Sequence, residues 1–264
     1  MSEKVLELDR QDHSAIITLS RPDKLNALSA DLRNALTNAL SETRDDDGVR
    51  VVIITGAGRG FCSGADLTGG APAGGDPTQN QHLDEFGWVG RQAKSVYQLD
   101  KPVIAAVNGV AAGAGMSLAL SCDLRVGSEN ARFKSVFIER NLSPDSGLSF
   151  FLPRIVGQSR AADIIYTSRS VDAQEAHRIG LLDRLVDHDQ LLDAALEVAA
   201  QMAQWPPLAL RSSKRVLQHS LEVELEDALR YEMTGLSFAG RAKNDAKESR
   251  AAFVEKRKPT YTGT

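Results

Sequence analysis

Two uninterrupted apolar runs, Val51-Val52-Ile53-Ile54 and Val103-Ile104-Ala105-Ala106-Val107, constrain this chain most. Neither shows the apolar–polar alternation of a half-exposed strand, so each describes a strand covered on both faces. Strands of that kind need helices above and below them. The runs therefore imply an α/β layer architecture with right-handed crossovers. Residues 5–8 and 15–19 read as two further short strands, with Arg21-Pro22 stopping the second. Ser29 is placed to cap a helix that carries Leu32, Leu36 and Leu40 on one face and ends at Asp45 to Asp47 and Gly48.

Residues 68–80, TGGAPAGGDPTQN, cannot build a core and read as a surface flap. After about residue 146 the strand signals fade. Asp172 is placed to cap a helix over 173–179, stopped by Gly180, and residues 189–258 are helix-compatible apart from Trp205-Pro206-Pro207. A core over 1–200 and a helical region over 201–264 follow as the expected division. A chain of 264 residues buries roughly 70–75% of its unfolded surface, so no metal or disulfide staple is required.

Several function classes are disfavoured. Acidic residues outnumber basic ones by 35 to 31, a net charge of −4, which gives phosphates no basic face. Residues 102–122 carry no charge and are long enough to span a bilayer, but Pro102, Asn108 and three glycines fit a strand, a turn and a buried helix better. Met1 to Asp12 has no apolar stretch of the secretory kind. Cys62 and Cys122 form no CxxC pair and suggest a reducing, cytoplasmic setting. The histidines have no ligand spacing, so no metal is expected. Gly56-Ala57-Gly58-Arg59-Gly60 follows a buried strand as a dinucleotide-binding turn would. Phe61 stands where the third glycine belongs, and the acidic residue about 20 positions on would be Asp76, inside the flap.

Two segments remain: Phe61-Cys62-Ser63-Gly64-Ala65-Asp66-Leu67, and Asn108-Gly109-Val110-Ala111-Ala112-Gly113-Ala114-Gly115-Met116-Ser117. Tiny residues at a strand's carboxyl end let a ligand approach the backbone, and a helix starting there aims free N–H groups at it. Side by side, the two segments would supply two donors to one oxygen, an oxyanion hole. Small residues also permit tight helix–sheet packing, and composition alone does not choose between the two.

Arg21-Pro22-Asp23-Lys24-Leu25-Asn26-Ala27-Leu28, GAGRGFCSGADL (56–67), KPVIAAVNGVAAGAG (101–115) and the ending Ala252-Phe253-Val254-Glu255-Lys256-Arg257-Lys258 resemble the enoyl-CoA hydratase/isomerase (crotonase) superfamily. The resemblance runs nearly end to end. It implies a spiral of ββα units with a C-terminal helical trimerisation region, a homo-trimer or hexamer, and acyl-CoA thioester substrates, with coenzyme A carried by the substrate and no separate cofactor. It also implies oxyanion donors at the backbone N–H groups of Ala65 and Ala114. Contacts to coenzyme A would come from Lys24, Ala27, Ala65, Asp66 and Leu67, and from Phe253 and Lys256 of a neighbouring subunit.

The acids depart from the hydratase pattern. Where hydratases of the family keep two glutamates, this chain has Ser117 and Phe137, with Glu139 two residues beyond the second. A third acid position is filled: Leu142-Ser143-Pro144-Asp145-Ser146-Gly147 resembles the IPDxGG segment of the phenylacetate-pathway enoyl-CoA isomerases, whose aspartate moves protons. Burial against apolar neighbours such as Phe137 and Phe150 would raise the pKa of Asp145 toward the operating pH. Pro-Asp-Ser-Gly is equally a turn and a helix cap. The resulting expectation is a double-bond isomerase using Asp145. The alternatives are a hydratase or lyase drawing on Glu139, a dehalogenase-like enzyme with Asp145 as nucleophile, and a binder of CoA thioesters without chemistry.

Overall fold

The fold is that of a computed structural model, and residues 4–68 and 78–264 are described. β1 (Leu6–Gln11) and β2 (Ser14–Leu19) pair as an antiparallel hairpin. β1 continues past its apolar start because the ladder to β2 carries Asp9, Arg10 and Gln11 along an exposed sheet edge. α1 (Ala30–Asp45) begins where Ser29 Oγ accepts the Leu32 N–H (3.2 Å), and it buries Leu32, Leu36 and Leu40. There follow β3 (Val51–Gly56), β4 (Gly60–Cys62), α2 (Gln79–His82) and α3 (Gly87–Tyr97). Next come β5 (Val103–Val107), β6 (Val110–Ala112), α4 (Ala114–Ser121), β7 (Leu124–Ser128) and β8 (Arg132–Lys134). Most of the segment read as a flap, Asp76 included, lies outside the described residues.

These strands repeat one motif three times. β3, β5 and β7 lie parallel and adjacent in a six-stranded sheet of order β1-β2-β3-β5-β7-β10 among the described residues. The short strand after each, β4, β6 and β8, enters a second sheet of order β4-β6-β8-β9. A chain that climbs by one strand in each sheet per turn is a spiral of ββα-type units. The uncharged stretch at 102–122 resolves into β5, β6 and α4, and no described helix is long and apolar enough to cross a membrane.

The remainder comprises α5 (Leu148–Val156), α6 (Gln158–Thr167), β9 (Val171–Asp172), α7 (Ala173–Arg178), β10 (Arg184–Val186), α8 (Leu191–Ala203), α9 (Pro207–Ser220), α10 (Leu225–Ala239) and α11 (Lys243–Glu255). α7 starts where Asp172 Oδ1 accepts the Glu175 N–H (2.9 Å). β9 and β10 fall where the sequence shows fading strand signals. They are too short to carry a period of two and are held by pairing to β8 and β7.

The apolar runs face two cores. Val52, Ile54, Val103, Ala105 and Val107 point to the side of α1 and α4. Val51, Ile53, Ile104 and Ala106 receive Leu191, Ala195, Val198 and Ala199 of α8. Beyond α8, α9 and α10 pack on each other: Ser212 Oγ donates to Gly235 O (2.8 Å), and a Cβ at Gly235 would stand 2.6 Å from Val216 Cγ2.

Candidate active site

The site forms where β4 and β6 run out. The glycine-rich turn before β4 is clasped by two asparagines. Asn26 Nδ2 donates to Gly60 O (2.7 Å) and Asn108 Nδ2 to Gly58 O (2.8 Å), while Asn108 Oδ1 accepts the Gly56 N–H (3.3 Å). A Cβ on Gly56 would stand 2.3 Å from Gly60 O, and one on Gly109 only 2.1 Å from Arg59 O. The glycines make room for the chain itself, which explains a dinucleotide-like turn with no dinucleotide fingerprint.

Beyond the turn, the chain after β4 lies directly on the start of α4. A Cβ at Gly115 would meet Cys62 O at 2.0 Å; one at Gly64, whose φ is +99°, would meet Ala112 O at 2.8 Å and Ala114 N at 3.5 Å. Leu28 and Ala65 form an isolated parallel bridge, with Leu28 N–H on Gly64 O and Asp66 N–H on Leu28 O. Successive amides of an extended chain point to opposite sides, so the Ala65 N–H is turned away from Leu28. At α4, the Gly113 carbonyl accepts the Ser117 N–H (3.0 Å), and the same trans peptide aims the Ala114 N–H out of the helix N-terminus. Neither amide donates to a described residue. Two unspent donors thus sit on adjoining segments, one of them at a positive helix end.

Asp145 is joined to the same helix. Ser117 Oγ, one turn into α4, donates to Asp145 O (3.2 Å) and lies 3.3 Å from Gly113 O. Ser146 and Gly147 both adopt the left-handed region, which folds the loop back before α5. The N-cap of α5 is Gly147, with no side-chain cap bond, so neither Asp145 nor Ser146 serves as the helix cap that Pro-Asp-Ser-Gly also suggests. Among the described residues the Asp145 carboxylate accepts only the Ser146 hydroxyl (2.8 Å) and has no cationic partner. Burial raises its pKa above the ordinary carboxylate range, opposed in part by that hydroxyl. Ser117 and Phe137, at the two hydratase acid positions, are both buried. Glu139 is exposed and paired with Lys134 (2.6 Å), which holds its carboxyl below the usual range.

The residues expected at coenzyme A divide into two groups. Lys24, Ala27, Ala65, Asp66 and Leu67 come to one rim: Ser63 Oγ donates to Lys24 O (3.1 Å), the Arg21 guanidinium donates to Ala27 O, and Arg21 pairs with Asp66 at 2.8 Å. The Asp66 carboxylate also accepts the Thr68 hydroxyl and N–H. These bonds, with Arg21, hold its pKa far below the ordinary value. Asp66 therefore fastens the rim, and a ligand would meet its backbone more readily than its carboxylate. Leu67 is exposed. Phe253 and Lys256 stand apart on α11 and at its end, with Phe253 85% exposed. No hydrogen bond or ion pair among the described residues joins α11 to the rim within one chain.

The Arg33 guanidinium lies 4.2 Å from the ring of Trp88, which packs partly buried against the core, and Lys94 Nζ lies the same distance from Phe86, which lines a surface crevice with Thr37 and Leu40. Burial pushes the Cys62 and Cys122 thiols up to about 12, which leaves neither as a nucleophile. Asn26, Asn108 and Arg21 are the site-forming residues that sequence reasoning did not single out. Asn108 directly precedes Gly109, while Arg21 and Asn26 lie in the 21–28 segment, with no glycine near them in the sequence to mark their role.

Residues 9–264 match the profile of the family described as Enoyl-CoA hydratase/isomerase. A probable enoyl-CoA hydratase of Mycobacterium bovis is 40% identical, over 94% of this chain and 89% of the relative. The 1,2-epoxyphenylacetyl-CoA isomerase of Escherichia coli is 35% identical, over 94% of each chain. A crystal structure of an enoyl-CoA hydratase from Bacillus anthracis superimposes with a TM-score of 0.90 at 35% identity, covering 99% of this chain and 100% of that one. With the spiral of paired strands, the match along the chain and these relatives, the protein belongs to the enoyl-CoA hydratase/isomerase family of the crotonase superfamily.

Proposed function

We propose that this member of the family isomerises the double bond of an enoyl-CoA thioester through an enolate. Asp145 acts as the single acid/base, and the Ala65 and Ala114 amides act as the oxyanion hole. One observation carries the reading: a half-buried carboxylate without a cation is tied to the helix that presents one of two unspent amides, while both hydratase acid positions hold buried non-acidic side chains. In a 3-enoyl-CoA, the Asp145 carboxylate takes a proton from the carbon beside the thioester carbonyl. The electron pair delocalises onto the thioester oxygen, which accepts hydrogen bonds from the two amides. Asp145 then returns the proton to the far carbon of the allylic system, giving the 2-enoyl-CoA. Losing one donor of such a hole typically costs about 10²–10³ in rate.

The substrate's coenzyme A would lie along Lys24, Ala27 and residues 65–67. Leu225, Leu229, Met233 and Leu236 present an apolar face on α10, each about half exposed or more, which suits association into a trimer or hexamer. Phe253 and Lys256 would then reach the coenzyme A of a neighbouring copy, with Lys256 as a point charge for phosphate. The unpaired cysteine thiols fit a cytoplasmic setting.

Turnover of 3-enoyl-CoA substrates, wild type against Asp145→Asn, tests the reading. A loss of about 10²–10⁴ in kcat is expected for removing a general acid/base. Equal rates in both enzymes would take Asp145 out of the mechanism. Hydration of crotonyl-CoA that survives Asp145→Asn would point to hydratase chemistry instead.

A further inference from the structure

We infer that Ser117 is a positioning residue whose hydroxyl fixes the Asp145 loop to the Gly113–Ala114 peptide, so that the proton carrier and one oxyanion donor are held at a set spacing. The inference rests on the reading of Asp145 as the acid/base. Ser117 is fully buried in a helix with no charged residue, where a hydroxyl is costly unless it is hydrogen-bonded. Self-satisfaction within the helix was available, as Ser121 shows one turn later: also buried, it bonds only Leu118 O of its own helix (2.8 Å). Ser117 reaches its own-helix carbonyl Gly113 O (3.3 Å) and shares its one proton with a carbonyl 28 residues away, Asp145 O, at 3.2 Å. That carbonyl already accepts the Leu148 N–H (2.9 Å), so the Ser117 bond is not needed to satisfy it. Its effect is to fix a distance.

The other end of the bridge is equally constrained. Ser117 Oγ lies 3.3 Å from Gly113 O, the carbonyl of the peptide that carries the Ala114 N–H. Gly113 N–H is spent on Lys134 O (3.0 Å), and Val136 Cγ2 stands 3.1 Å from where a Cβ on Gly113 would be. The peptide is thus braced on its neighbours, and Ser117 is the side chain that connects it to Asp145.

Among the described residues no ion pair reaches Asp145. α4 is uncharged; on α3, which packs on α4, Arg91 pairs with Asp84 and Lys94 lies over the Phe86 ring; on α5, Arg154 lies over the Phe150 ring (3.7 Å); in the 138–140 turn, Glu139 is paired with Lys134. Loosening the loop would therefore give the carboxylate more water and lower its pKa.

Steady-state kinetics on 3-enoyl-CoA substrates across pH, with wild type, Ser117→Ala, Ser117→Thr and Asp145→Asn, test this. Ser117→Ala is expected to lose about tenfold to a hundredfold in kcat, the scale of a small misplacement of a catalytic group. KM should stay within about twofold, since the lost interaction is one that matters in the transition state. The acid limb of kcat should move to lower pH, and Ser117→Thr, which keeps the hydroxyl, should recover most of the rate. A Ser117→Ala enzyme with wild-type kcat and an unmoved acid limb overturns the inference and leaves the role of Asp145 intact. So does a kcat loss without any limb shift and without recovery in a Ser117→Thr enzyme that melts like wild type. An Asp145→Asn enzyme with full activity overturns the underlying reading, and the inference with it.

Discussion

Buried polar groups at the base of α9 and at the start of α4 are treated in opposite ways. Near α9, Lys214 Nζ donates to Asp123 (2.7 Å) and to Lys101 O (3.1 Å). Lys101, 2% exposed, donates to Asp46 O (2.6 Å) and Thr43 O at the end of α1, and Asp100 pairs with Arg211 and Arg215. Each of these charges meets an opposite charge or a carbonyl dipole, as expected where polar groups hold elements together. At α4, the Ala65 and Ala114 amides have no acceptor among the described residues, and Asp145 is partly desolvated with no cation paired to it among them. Groups that could have been satisfied cheaply are kept free. The contrast separates a region whose charges are paired within the fold from the region to which we assign the chemistry.

The comparison can be broken most forcefully at Gly64. A Cβ there would stand 2.8 Å from Ala112 O on a backbone of φ +99°, so Gly64→Ala must displace Ala65 from α4. A fall of about 10² in kcat is expected, as for a lost oxyanion donor, and is read by kinetics at a temperature where the variant is folded. Lys214→Met attacks the other region. It removes the cation from Asp123, which keeps the Val103 N–H (2.7 Å), and a donor from the Lys101 carbonyl; with Asp123 about a third exposed the cost should be about 2 kcal/mol in chemical denaturation, below the range for fully buried pairs. Its kcat per folded molecule should not change.

A smaller effect sharpens the contrast. Burial raises the folded-state pKa of Asp145 above its unfolded value, so the stability linked to this group is fully present at low pH and is lost as pH rises through the folded pKa. Asp145→Asn removes that penalty. The variant that loses activity should therefore melt slightly higher than wild type at neutral pH and at no higher temperature in acid. Smallest of all, Glu139→Gln should leave turnover unchanged, because its carboxylate is exposed and engaged with Lys134. A collapse of activity there would return the hydratase reading.

Local elements were legible because their causes are local. Ser29 and Asp172 announce helix starts by side-chain chemistry three residues deep, and the runs at 51–54 and 103–107 announce strands buried on both faces. β9 and β10 were not legible, since two or three residues hold no period and only a neighbouring strand makes them strands. In the site, the tiny residues at 62–65 and 112–115 could be read either as a pair of donors to one oxygen or as tight helix–sheet packing, and physics alone did not choose between the two. The family resemblance favoured the first reading, and the contacts of Gly64 and Gly115 show how closely the two segments approach.

The sequence by itself determined the long buried strands, the caps at Ser29 and Asp172 and the α/β layer architecture. Only the tertiary structure decided which groups meet: Ser117 with Asp145 across 28 residues, and Lys214 with Asp123 across 91. The physical reason is range. Propensity, periodicity and capping act within a turn or two of chain, whereas desolvation and hydrogen bonding between distant segments depend on which surfaces the fold presses together.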